Sequence, residues 1–158
     1  MPGQIRPILH HPHPTLRQIS EPVAEKRFNK TELKQLLADM EETMLKKDGA
    51  GLAAPQIGVS ERIVVIASRD GKNIFLINPQ ITRRSWAKVI GEEGCLSVID
   101  SRGRIIYGKV ERHKHITCQY FDQHGKKKKV QADEHLSRVI QHEIDHLDGI
   151  LFIDRLIS

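Results

Sequence analysis

The chain has 158 residues with a formal charge of +5, 39% of them apolar and only 4% aromatic. That length suits one domain over residues 1–158 with an aliphatic core, and no run is apolar and long enough to span a bilayer. The opening MPGQIRPILHHPHP lacks the continuous apolar stretch of a secretory signal, and two cysteines make no disulfide framework, so a reducing cytoplasm is the default.

In chain order, HPHPTLRQISEPV is punctuated by proline and reads as extended. NKTELKQLLADMEETMLKK places Leu33, Leu36, Leu37, Met40 and Met44 on one helical stripe that reads as core, with Asn29 or Thr31 as its cap. DGAGLAAPQIG (48–58) ends that helix. RIVVIAS and NIFLINP read as strands joined through RDGKN. ITRRSWAKVIGEEGCLS is ambiguous. HITCQYF alternates apolar and polar residues and reads as a strand, which DQHG turns into the lysine run 126–129 and Val130. Those lysines read as a solvated hairpin tip that discourages edge pairing; the sharper reading is attraction to RNA or another polyanion, although no aromatic residues interleave with them. ADEHLSRVIQHEIDHLDG reads as a second helix with Asp133 as its N-cap and Gly149 as a left-handed stop. Strands with two main helices predict an α+β domain.

Within that last helix, HEIDH (142–146) carries the strongest chemical signal. Four residues rotate a helix by about 400° and advance it about 6 Å, so His142 and His146 project from one face, as metal binding requires. Glu143, one position on, can lie close to a metal without binding it and can carry the proton of a water there. A catalytic site of this kind uses three protein ligands and an open position. The extended motif of one zinc peptidase group places its third ligand at what is here Phe152, and no glutamate follows Glu143, so the third ligand comes from upstream. The candidates are Cys95, Cys118, acidic side chains and the remaining histidines. Cys118 reads as a small core residue within its strand. Cys95, in EEGCLS, reads as a loop or strand edge, and a thiolate suits a soft divalent ion, so the chemistry favours Cys95.

Three segments then coincide. GAGLAAPQ (49–56), EGCLS (93–97) and QHEIDH (141–146) resemble, in order and spacing, the three signature motifs of peptide deformylases, and HPHPTLRQISEPV and LDGILFIDRL are similar to that family too. The resemblance implies an α+β fold with antiparallel or mixed sheets packed around a central C-terminal metal-binding helix, plus one N-terminal helix. It implies a hydrolase that removes the N-formyl group from the terminal methionine of nascent polypeptides and releases formate. The implied cofactor is one divalent metal per chain, Fe(II) in the cell and replaceable by zinc, nickel or cobalt. Carried over residue by residue, Cys95, His142 and His146 bind the metal, and Glu143 is general base and then acid. The Gln56 amide and the Leu96 backbone N–H stabilise the oxyanion, and backbone groups of Ala50, Gly51 and Gly94 hold the peptide as an added strand. Glu93 and Arg102 lie near the substrate. The implied location is the cytoplasm, or an organelle with bacterial-type translation.

The chain also departs from the pattern. EGCLS continues as VIDSRG rather than with a hydrophobic residue and proline. Arg138 and His135 stand on the ligand face of the metal helix, where the family has aliphatic residues lining the methionine pocket, and Ala50 stands where a larger residue is common. Either the Arg138 and His135 side chains both reach out to water and leave the pocket apolar, or the pocket is more polar with a weaker preference for methionine and Glu93 pairs with Arg138. Some members dock on the ribosome through a further C-terminal helix; here that contact is either lost or shifted to Lys126–Lys129. The rival readings are a metallopeptidase using the same helix and a non-catalytic basic RNA-binding module with a closed structural metal site.

Overall fold

The computed structural model describes residues 2–157. It holds helix α1 (Thr31–Lys46) and helix α2 (Glu134–Leu147) with strands β1 (Gly51–Ala53), β2 (Ile63–Ile66), β3 (Ile74–Arg84), β4 (Lys88–Ile99), β5 (Ile105–His113), β6 (His115–Phe121) and β7 (Lys127–Asp133). The pairings between these strands are all antiparallel. They form a five-stranded sheet in the order β1-β2-β3-β6-β7 and a separate two-stranded ribbon, β4-β5. The architecture is α+β.

Strand alternation explains the layers. In β2, Ile63 and Val65 face one way and pack with Leu33, Leu36, Leu37, Met40 and Met44 of α1. Val64 and Ile66 face the other way and pack with Val139, Ile140, Ile144 and Leu147 of α2. A strand covered on both faces has no polar side, which is why IVVI is continuously apolar. Each of these large aliphatic side chains contributes about 1.5–3 kcal/mol on full burial. A third cluster of Leu16, Val98, Val110, Leu151 and Phe152 lies with Cys95 under the ribbon.

The element ends differ from the sequence reading in two places. Helix α1 is capped by neither Asn29 nor Thr31: Lys30 is its N-cap residue, without a side-chain bond. The chain enters from a short 3-10 turn, with the Lys30 N–H on the Arg27 carbonyl and Asn29 in the left-handed region at φ 67°. Asp133 does occupy the N-cap position of α2, but its side chain caps nothing. Its carboxylate accepts from His115 Nδ1 instead, and the Glu134 N–H bonds the Lys114 carbonyl, so the corner is closed by backbone. Gly149 is left-handed at φ 73°, as expected. The ambiguous stretch 81–97 resolves into the end of β3, a turn at 85–87 and most of β4, while β5 carried no sequence expectation.

Candidate metal centre

The helical phase of α2 sets the site. Its apolar residues bury against the sheet, and His142, Glu143 and His146 are buried with them. Strand β4 supplies the sulfur. Its pairing with β5 is regular from Lys88 to Gly94, shifts, and resumes at Ile99 opposite Ile105, so Cys95 and Leu96 lie where the ladder is interrupted. Cys95 therefore stands in a strand, buried, rather than at an exposed edge.

Cys95, His142 and His146 converge, with one ligand atom of each within 4.8 Å of the others. Cys95 Sγ lies 3.4 Å from His146 Nε2, and the two imidazole centroids are 5.0 Å apart. A sulfur and a nitrogen on one tetrahedral ion lie about 3.5 Å apart, so this donor set fits a divalent metal. The charge pattern fits as well. Burial opposes a proton on His142, but Cys95, Glu93 and Glu143 outweigh it and push the ring up to about 10: the surroundings ask for a cation. Burial and the His142 charge push His146 well below its ordinary value, leaving a neutral ring with a lone pair to donate. Among the described residues no fourth donor joins the three.

His142 is oriented from behind. Its Nδ1 lies 2.8 Å from Glu93 Oε1, the carboxylate–histidine pairing that fixes which nitrogen faces a metal. Glu93 also takes a two-pronged bond from Arg112 Nε and Nη2, both at 2.9 Å, and one from Arg138 Nη1 at 2.6 Å. Burial alone would raise the Glu93 carboxyl; Arg112 and His142 hold it well below the usual range. Arg112 continues to Asp145, which Arg155 also holds. The sequence expectation of a Glu93–Arg138 pair holds, whereas Arg112, Asp145 and Arg155 were missed. Only the period-two pattern of KVERH, which puts Val110 and Arg112 on one face of β5, hinted at an inward guanidinium.

Glu143 is buried. Desolvation pushes its carboxyl up to about 7, and its Oε2 has no partner among the described residues. Its Oε1 is 4.0 Å from His142 Nε2. Gly51 is packed against it: a Cβ there would stand 3.0–3.2 Å from the Glu143 side chain. Gln56 is buried with its amide oriented from both ends, Oε1 accepting from the Ala53 N–H and Nε2 lying 3.0 Å from Ser97 Oγ and 3.5 Å from Cys95 Sγ.

A cavity of about 230 Å³ opens beside these groups, lined in part by Ala50, Gly51, Gly94, Leu96, Arg138 and Val139. Arg102 is not among its lining residues. It lies exposed in the β4–β5 turn with its N–H on Asp100. Arg138 does line the cavity, but its guanidinium does not project freely into it. Nη1 bonds Glu93 and the Val110 carbonyl, and Nη2 bonds the Val89 carbonyl. The Arg138 charge is thus paired with Glu93 at the cavity wall. His135 remains at the exposed side of the lining.

Comparison with known proteins gives a consistent result. The family model described as Polypeptide deformylase matches residues 5–158. A peptide deformylase of Rhizobium meliloti is 42% identical over 154 residues, covering 95% of this chain and 84% of the relative. One from Pseudothermotoga lettingae is 46% identical over 148 residues, covering 90% and 82%. Among solved structures, the actinonin-bound class I type b peptide deformylase of Acinetobacter baumannii superposes with a TM-score of 0.89 at 35% identity, covering 98% of this chain and 99% of that one.

Proposed function

The chain belongs to the polypeptide deformylase family, and from that premise we propose the roles of its residues in removing the N-formyl group from nascent polypeptides. It is a metal-dependent hydrolase of formylated N-termini that releases formate. The observation that carries the site assignment is the convergence of one sulfur and two imidazoles beside a buried carboxylate. Cys95, His142 and His146 hold the metal: Fe(II) in the cell, with zinc, nickel or cobalt as substitutes. When bound, the ion polarises the formyl carbonyl and makes water more acidic.

The protein's own groups do the rest. Glu143 takes the proton of the attacking water and hands it to the leaving amine, and a carboxyl pushed up to about 7 by burial can do both near neutrality. Gln56 Nε2 and the Leu96 N–H face the oxygen that becomes negative, where each such donor contributes about 2.7–4 kcal/mol. Strand β1 is an edge of the larger sheet, so backbone groups of Ala50 and Gly51 on one side and Gly94 on the other take the peptide as an added strand. Glu93 orients His142. The first side chain of the peptide enters the cavity, where Leu96 and Val139 favour an apolar thioether.

The test is anaerobic purification with metal analysis, followed by formate release from a formyl-methionyl peptide. Metal-loaded protein that releases no formate ends this reading. With the Arg138 charge tied to the ribbon, methionine and norleucine are expected to outrun glutamine as first residue; a glutamine peptide turned over as fast would restore the polar pocket.

Residues 1–158 act as one catalytic domain with α2 at its centre, working in the cytoplasm or an organelle that translates in the bacterial manner. The lysines at 126–129 attract the ribosome surface. Alanine at all four should weaken ribosome co-sedimentation, and unchanged binding rejects them. No helix among the described residues is long and apolar enough to cross a membrane.

A further inference from the structure

The two halves of the metal centre sit on different parts of the fold. His142 and His146 ride on α2, which packs against the five-stranded sheet, while Cys95 rides on the β4–β5 ribbon, which is a sheet of its own. Backbone bonds tie the ribbon to the rest at its base, Ser85 N–H to the His115 carbonyl and Glu134 N–H to the Lys114 carbonyl; further along, where the sulfur faces the imidazoles, the ties are side chains. Several cross from α2 to the ribbon. Ser137 and Gln141 bond the His113 carbonyl in β5, Asp145 takes Arg112 of β5, and His142 meets Glu93 of β4. Among the described bonds, Arg138 alone reaches both strands from the helix: the Val89 carbonyl and the Glu93 carboxylate in β4, and the Val110 carbonyl in β5.

A second position is built for that crossing. Gly91 pairs with Val110 in the ribbon, and a Cβ on Gly91 would stand 2.9 Å from Arg138 Cζ and Nη2 and 3.0 Å from Nε. Gly91 is not among the glycines with positive φ, so its backbone does not require glycine. The guanidinium above it leaves room for a side chain only if it shifts.

We propose that Arg138 is a positioning residue of the metal centre: seated over Gly91, it straps the ribbon bearing Cys95 to the helix bearing His142 and His146 and so holds the site assembled before metal arrives. The proposal rests on the reading that those three residues are the ligands. Its sign separates it from simple electrostatics. Removing a nearby positive charge should tighten binding of a dication. Removing a strap should loosen it, because binding must then also bring two parts of the fold together. A strap that also holds the carboxylate behind a ligating histidine should matter to the extent such partners generally do, roughly 10–100-fold in metal affinity.

The experiment measures cobalt(II) affinity by its visible spectrum on the metal-free full chain, together with amide exchange of β4 and β5. Arg138→Met keeps a long side chain in the cavity wall without the fork, and Gly91→Ala leaves the arginine in place but displaces it. Both are expected to weaken cobalt roughly 10–100-fold and to speed ribbon exchange. Arg138→Lys keeps the charge without the fork and is expected within about threefold of Arg138→Met. Arg6→Ala is the control: Arg6 bonds Asp39 of α1, away from the metal helix and the ribbon, so its loss should lower the melting temperature and leave cobalt affinity alone. Affinity that is unchanged or tighter in both Arg138→Met and Gly91→Ala, or restored by Arg138→Lys, overturns the strap. If Arg138→Met does not fold, Gly91→Ala decides alone. Cys95→Ala reports on the ligand reading separately: cobalt held by that variant at wild-type affinity means the ligands are misassigned, whatever Arg138 does.

Discussion

Glu143 keeps one carboxylate oxygen buried with no partner among the described residues, beside the sulfur and the two imidazoles. Replacing it by glutamine preserves volume and removes the proton carrier. Glu143→Gln should bind metal normally and lose roughly 10²–10⁴-fold in turnover; activity within tenfold of wild type would require another proton carrier. The two thiols provide a second contrast. Cys118 is fully buried, and desolvation pushes its thiol up to about 11, so it is an inert core group. Cys95→Ala should lose bound metal on gel filtration, while Cys118→Ala should keep a full equivalent. Much of this grouping was legible in the sequence, because two histidines four apart must share a helix face and a loose-strand cysteine is the softest donor available. The Arg138–Glu93 pair was legible from the helix face. The Arg112 guanidinium was not: burying it depends on Glu93 and Asp145, which periodicity does not bring together.

At the level of elements, the two helices and the strands with a clean period were readable, and the ribbon was not. Strand β2 is apolar on both faces because a helix covers each, and helix α1 shows its stripe because only one side of it is buried. In β4, by contrast, Glu93 and Cys95 point inward with Ser97 and Val98 buried beyond them, so the alternation that marks a strand is overwritten by the needs of the site. The end of α2 gives a direct test. Gly149 is left-handed, and a Cβ there would lie 2.5 Å from the Arg17 carbonyl oxygen. Gly149→Ala should therefore destabilise the protein by about 1–3 kcal/mol in urea titration; a loss under about 0.5 kcal/mol would show that the corner relaxes without strain.

Across the whole molecule, Asp39 ties the first residues to α1, accepting from the Gln4 N–H, Arg6 and Gln35. Burial acts to raise its carboxyl, and those partners outweigh it and leave it below the ordinary aspartate value of 3.8. A carboxyl lowered on folding stabilises the protein above its unfolded value, and that contribution is lost as pH falls below it through the folded value. Melting temperature should therefore fall more steeply below about pH 4 in the wild type than in Asp39→Asn, and parallel curves for the two would assign the acid loss elsewhere. The sulfur–imidazole contact has a consequence of another kind. Cys95 and His146 lie 51 positions apart in sequence, so an ion held by both acts as a removable cross-link. A covalent bridge closing a loop of that length takes about 4 kcal/mol of freedom from the unfolded chain, and a coordinate bond can recover at most a comparable share. Chelation should thus lower the melting temperature and let a protease reach the middle of the chain, so that this protein carries in one ion both its reagent and its clasp.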